Sequence, residues 1–236
     1  YNAFRKGCGL APLPAGIFLE TSPHLNLLLA PSVIRYDRET ALDGDRFVFL
    51  DACVREEAQF DPPPLPVNDG PIVYLSFGSL GAIDTKLISR MIDVFAKVPA
   101  RFFVNVGGFL ESYQRVPDNV YLGSWFPQPS VVAQADLFIH HGGNNSYCEA
   151  LYYGVPSLIM PYCWDGHDNA QRAAQTGTGV NMQREGWTPQ MLSETMMSLI
   201  EDKAMSQRMK SVSKGMMAAD GAFKAAQSIL QKLRHS

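Results

Sequence analysis

Short apolar runs alternate with amphipathic stretches through the last two-thirds of the chain, and that alternation carries the fold prediction. Residues 72–75, Ile-Val-Tyr-Leu, have no polar face, as in a strand covered on both sides. Phe77-Gly78-Ser79-Leu80-Gly81 reads as a turn. From Asp84 the period changes. Leu87, Ile88, Met91, Ile92 and Phe95 fall on one helical face, and Asp84 stands where an N-cap is wanted. Further strands are predicted at 102–106, 120–122, 137–139 and 157–160, with a helix starting near Asp168. Thr188-Pro189 pairs a cap with proline at the first helical position, opening a helix with Leu192, Met196 and Leu199 on its apolar face. A last helix from about Gly221 is expected to bury Phe223, Ala226, Leu230 and Leu233. Apolar strands separated by helices imply an α/β fold, a Rossmann-like doubly wound parallel sheet whose ligands sit beyond the carboxyl ends of the strands.

The organisation changes at Phe60-Asp61-Pro62-Pro63-Pro64-Leu65-Pro66. Its four prolines can neither continue a helix nor pair inside a sheet, so it reads as an extended linker. The apolar runs before it, 25–30 and 47–50, belong to some sixty residues, too few for a core of their own. A formal charge of -3 with no basic block argues against nucleic acid as a partner. Cys8, Cys53, Cys148 and Cys163 lack metal-ligand spacing, so neither a metal site nor a disulfide framework is expected, and such usage suits a reducing cytoplasm. No run of eighteen apolar residues marks an integral membrane span. The methionines from Met191 to Met217 read as helix-face packing, and Gly107-Gly108 is weak evidence for a phosphate loop.

Candidate chemistry concentrates between Trp125 and Asp165. The run Leu137-Phe138-Ile139 leads through His140-His141-Gly142-Gly143 into a helix, and free N–H groups at such a helix start form an anion site. Asn145 and Ser146 sit where a cap is wanted, and the glycines, Gly143 among them, let a phosphate come close. Trp125 can cover a base or be a buried anchor. Glu149, one turn into the helix, can hold a ribose diol or be a surface acid favoured by the helix dipole. His141 ends a strand just before two glycines and a helix start, so its ring can reach an anion held there. His140 points to the other face and reads as structural. Asp165 can cap the next helix.

Taken together, Trp125-x-Pro127-Gln128, His141-x-Gly143-x-Asn145-Ser146-x-x-Glu149, Gly154-Val155-Pro156 and Pro161-x-x-x-Asp165 resemble the signature box of family 1 glycosyltransferases. These UDP-glycosyltransferases have the two-domain GT-B fold, and resemblance to bacterial macrolide-type members runs from about Asn2 to the C-terminus. The resemblance implies a C-terminal, donor-binding domain over residues 67–220, preceded by the tail of an acceptor domain (1–60) and the linker (61–66). It is followed by a crossover helix (221–236). Ser79, Trp125, Gln128, His141, Gly143, Asn145, Ser146, Glu149 and Asp165 would bind the donor, with Trp125 on the base, the Gln128 region fixing base and ribose, and Asp165 on the sugar. His141, with Asn145, Ser146 and Ser79, would meet the charge that develops on the departing diphosphate without a metal. The expected activity is inverting transfer of a sugar from an NDP-sugar, UDP-glucose or a relative, to a small-molecule acceptor, without metal or cofactor. The general base, a histidine, would lie in the rest of the acceptor domain, supplied in cis or by a separate chain. A nucleotide-sugar-binding subunit of a split transferase is an alternative, as is another GT-B enzyme such as a UDP-sugar epimerase or a lipid-sugar transferase. The family usually has Gln after the closing Asp, whereas this chain has Gly166, then His167 and Asp168, which leaves the sugar open.

Overall fold

Six parallel strands form the centre of the protein in a computed structural model that describes residues 1–17, 20–35, 39–67 and 69–234. The described elements begin with α1 (Asn2–Gly7), β1 (Asn26–Leu28), β2 (Phe47–Phe49), β3 (Ile72–Ser76), α2 (Gly78–Gly81) and α3 (Thr85–Phe95). They continue with β4 (Arg101–Asn105), β5 (Val120–Gly123), α4 (Gln128–Val132), β6 (Leu137–His140), α5 (Asn144–Tyr153) and β7 (Ser157–Ile159). Last come α6 (Asp165–Thr176), β8 (Gly179–Asn181), α7 (Pro189–Glu201), α8 (Lys203–Met217) and α9 (Gly221–Arg234). The large sheet runs β5-β4-β3-β6-β7-β8, while β1 and β2 pair in parallel as a separate two-stranded sheet. Strand order reverses between β3 and β6, where Ser76 pairs with His140. Such a reversal opens a crevice at the carboxyl ends of the two strands.

Alternation along β3 assigns the two faces. Val73 and Leu75 join α3 and α7 residues such as Ile88, Phe95, Leu192 and Met196 in one apolar cluster. Tyr74 points the other way, with Phe103, Phe138, Val131 and Val132. Phe95 and Phe102 stack with ring centroids 4.1 Å apart. The proline-rich stretch is extended, as expected, but it is packed as a strap across the second face. Phe60 and Leu65 are buried there, the Phe60 ring meets Phe103 edge-on at 5.3 Å, and the Phe60 N–H donates to Ser130 Oγ at 2.8 Å.

The caps expected from Asp84 and Thr188 are formed: their side chains accept the N–H groups of Leu87 and Met191. Other expectations are corrected. The segment after Phe77 contains the short helical turn α2, and α6 begins at Asp165 rather than near Asp168. Short β8 is not anticipated by the sequence, whereas the helix-face packing expected of the methionines is met in α8, where Met205, Met209 and Met216 are buried. The face of α9 is not buried. Phe223, Ala226, Leu230 and Leu233 are exposed, and Gly221 is the one buried residue of that helix. Periodicity specifies an apolar face but not the element that covers it, and no other described part of this chain lies over this one.

His140 is structural, as expected. It is fully buried between Phe138 and Tyr147, with ring centroids at 4.5 and 6.4 Å, and its Nδ1 accepts the Gly142 N–H at 3.1 Å. Burial, then the neighbouring His141, pushes its pKa well below the usual histidine value of 6.5. The native imidazole therefore refuses a proton that the unfolded chain accepts, and stability from this site is lost as pH falls below 6.5.

Two stability measurements follow from this packing. Leu230→Glu and Leu233→Glu should each shift unfolding of this chain by less than about 0.5 kcal/mol. Phe102→Ala should cost about 3–5 kcal/mol in the same urea titration. A large loss at either leucine would place α9 against a core. Between pH 7.5 and 5.5 the unfolding midpoint should fall, and His140→Asn should fall less. An equal fall in both proteins would remove His140 as the source.

Candidate functional site

The turn after β6 is built for close approach. Gly142 has φ 84°, and a Cβ there would lie 2.7 Å from the Gly166 carbonyl oxygen and 2.8 Å from Ile159 Cγ2. A Cβ on Gly143 would fall 2.4 Å from His141 Nε2, so the imidazole packs in space that any side chain at 143 would occupy. Asn169 Nδ2 donates to the Gly142 carbonyl at 2.8 Å, which holds the turn from below. These constraints direct His141 into the crevice between β3 and β6.

A cavity of about 700 Å³ fills that crevice, within the usual range of small-molecule sites. Of the expected donor residues, Ser79, Gln128, His141, Gly143, Asn145, Ser146 and Asp165 line it. The other two lie apart. Trp125 is 67% exposed on the loop after β5 and does not line the cavity. Its exposure rules out the buried-anchor reading, a place that Phe126 takes instead. Glu149 is 2% exposed and borders a second, smaller cavity of about 130 Å³. It is therefore not a surface acid.

The start of α5 corrects another expectation. Its N-cap is Gly143, so Asn145 and Ser146 lie inside the first turn and cap nothing. The Asp165 carboxylate accepts the Asn144 N–H at 2.8 Å, capping α5 from the first turn of α6. Asp165 does not cap its own helix, because the residue in the cap position is Trp164, held at φ 50°. The side chain of Asn144 donates to the Leu29 carbonyl at 2.6 Å and ties α5 to the segment after β1.

A charged network lies one turn further along α5. Gln128 Nε2 donates to Glu149 Oε2 at 2.7 Å and to Ser146 Oγ at 3.1 Å, and Arg55 Nη1 pairs with Glu149 Oε1 at 2.8 Å. Burial raises the Glu149 pKa, while Gln128 and Arg55 oppose that rise. Burial lowers the pKa of His141, against the pull of Asp165 and the Ser76 carbonyl. A neutral imidazole offers one N–H to a developing oxyanion and one lone pair. Cys148, near Glu149, has its pKa pushed up to about 12 by burial and is no nucleophile. Among the described residues no three His, Cys, Asp or Glu side chains converge as a metal-ligand group. None of the described helices is long and apolar enough to cross a membrane.

Sequence reasoning missed Arg55, Phe77 and Asn144 as lining residues. Tyr162 to Trp164 do line the cavity, as their place after a strand end leads one to expect. Arg184 stacks 3.2 Å from the Tyr162 ring centroid and pairs with Asp84, which anchors this loop to the N-terminus of α3. Arg55 precedes the proline strap by several residues, and no local pattern marks it.

Comparison with known proteins agrees with this architecture. Residues 89–232 match the family described as erythromycin biosynthesis protein CIII-like, C-terminal domain. The chain is 29% identical over 221 residues to the NDP-glycosyltransferase YjiC of Bacillus subtilis (strain 168), covering 92% of this chain and 56% of that protein. It is 26% identical over 236 residues to the oleandomycin glycosyltransferase of Streptomyces antibioticus, covering 99% and 54%. The solved glycotransferase of kitacinnamycin superposes with a TM-score of 0.83 at 26% identity, over 98% of this chain and 60% of that one. The chain thus spans about half the length of the curated relatives it matches. Its six-stranded sheet is the C-terminal, Rossmann-like domain of the GT-B fold. With more than half of its residues inside the profile match, the chain belongs to the erythromycin biosynthesis protein CIII-like C-terminal domain family, among the macrolide-type family 1 glycosyltransferases.

Proposed function

We propose that this chain is the donor-binding half of an inverting glycosyltransferase that uses an NDP-sugar, UDP-glucose or a relative, and a small-molecule acceptor. The observation that carries the reading is the cavity at the strand-order reversal, where His141, Asn145 and Ser146 gather at the N-terminus of α5. Free N–H groups and the positive end of the helix dipole favour a diphosphate there. In this reading Trp125, exposed on its loop, covers the base, and Glu149 accepts the ribose diol. Asp165 faces the sugar while its other task, capping α5, keeps the carboxylate in place.

Transfer would proceed by attack of an acceptor hydroxyl on the anomeric carbon, opposite the diphosphate. The C–O bond to the diphosphate breaks as the new glycosidic bond forms, and the hydroxyl proton passes to a base from the other domain. Charge leaving with the diphosphate is met by the His141 N–H and the first turn of α5. Such groups lower the barrier because they are already oriented when the charge appears.

Titration calorimetry with UDP and dTDP tests the donor site, and no binding of either would sink the reading. Trp125→Ala should weaken nucleotide binding by about 1–3 kcal/mol, the usual worth of aromatic stacking on a base. An unchanged affinity would take Trp125 off the base. Glu149→Ala should cost more affinity for UDP than for its 2′,3′-dideoxy analogue, and equal losses would remove Glu149 from the ribose. In the active enzyme, His141→Ala should lower kcat more than it raises KM, because its hydrogen bond matters most in the transition state. A pure KM effect would make it a binding residue.

A further inference from the structure

The Glu149 carboxylate is already occupied on both oxygens. Oε2 accepts Gln128 and Oε1 accepts Arg55. Each oxygen keeps a second lone pair, but the side chain is buried beneath these two donors, so a ribose diol reaches the carboxylate only if one of them moves aside. The two candidates differ in freedom: the Glu149 side chain is 3% exposed, whereas that of Arg55 is 51% exposed and reaches in from a segment without regular structure. The movable member of the pair is Arg55.

Arg55 is also the one Lys or Arg side chain among the described residues lining the large cavity. Asp165 lines it with a negative charge, and Glu57, on Arg55 Nε at 2.5 Å, adds another nearby. Arg184, a cation close to His141, is engaged by Asp84 and stacked on Tyr162. A nucleoside diphosphate brings more than one negative charge into this space. Asn145 and Glu149 are four apart on α5, with Cβ atoms about 5–6 Å from each other. The guanidinium thus rests about one helical turn from the N–H groups where the anion would sit. Its planar fork suits two phosphate oxygens at once.

We propose that Arg55 is the cation of the donor site. In the empty pocket it neutralises Glu149. When nucleotide binds, the ribose hydroxyls take over Oε1 and the guanidinium moves to the diphosphate. The exchange avoids leaving a buried carboxylate uncompensated, which is costly. This inference rests on the donor-site reading above and assigns a residue that precedes the strap to the site. The competing role is a static bridge that only ties residues 53–57 to α5.

The two roles separate in a calorimetric comparison of a nucleoside diphosphate with its own nucleoside. The titrants are whichever of UDP and dTDP binds the unmodified chain more tightly, and uridine or thymidine to match. Arg55→Gln should weaken diphosphate binding roughly 10-fold to 100-fold, the range for a charge-assisted hydrogen bond. It should leave nucleoside binding unchanged or tighter, because Glu149 is released. Arg55→Lys, which keeps the charge but loses the fork, should fall between. Diphosphate binding should also lose part of its salt dependence in Arg55→Gln. Equal weakening of nucleotide and nucleoside would assign Arg55 to the static bridge, and unchanged diphosphate affinity would remove it from the site. If the unmodified chain binds neither nucleotide, the donor-site reading fails and this inference falls with it. If that chain binds but Arg55→Gln matches it, only this inference fails. Thermal melts of all three proteins confirm that each variant is folded before its affinity is compared.

Discussion

Two glycine-containing turns meet backbone to backbone at the carboxyl end of β6, and the site depends on that contact. A Cβ on Gly166 would lie 2.6 Å from the His141 carbonyl oxygen, and one on Gly142 would lie 2.7 Å from the Gly166 carbonyl oxygen. Neither atom is the yielding tip of a side chain, so a larger residue at 142 or 166 would have to part the turns. Their closeness brings Asp165 within 2.8 Å of the Asn144 N–H. It thereby supplies the cap that the start of α5 lacks. Gly166, the departure from the family's usual Gln, thus has a physical reason in this chain: α6 begins too close to the His141 carbonyl for a side chain at that position.

Several other features hold this junction in place. Asn169 fastens the Gly142 carbonyl, and Arg184 stacks on Tyr162 while pairing with Asp84 at the start of α3. His140 accepts the Gly142 N–H on its Nδ1 and stays neutral because burial makes charging it costly. Adjacent histidines thus divide the labour by the side of the strand they face. One satisfies the turn from within the core, and the other borders the cavity.

The segment ahead of the sheet does more than connect. Phe60 and Leu65 close the second face of the sheet, Ala52 accepts the Gly221 N–H at 3.0 Å, and Lys224 pairs with Asp51 at 2.8 Å. The described residues of 29–65 are therefore continuous with the six-stranded sheet and its helices in packing, although the proline run reads as a boundary. Arg55 lies within this stretch, which explains how a residue outside the α/β alternation reaches the Glu149 carboxylate.

Local chemistry was enough to determine much of this protein from its sequence. The apolar run 72–75 of β3 has to be a doubly covered strand, Asp84 and Thr188 cap their helices through bonds spanning three residues, and Gly142-Gly143 opens a turn before α5. Seven of the nine expected donor residues line one cavity because each follows a strand end or starts a helix, and parallel strands bring those ends together. What periodicity cannot carry is the partner across a gap in sequence. Asp165 capping α5, Arg55 on Glu149 and the Phe60 strap join residues 21, 94 and 70 positions apart. The exposed apolar face of α9 shows the same limit. A helix's own residues set which side is apolar, but only the tertiary structure decides whether anything lies against it, because burial is a relation between elements and not a property of one.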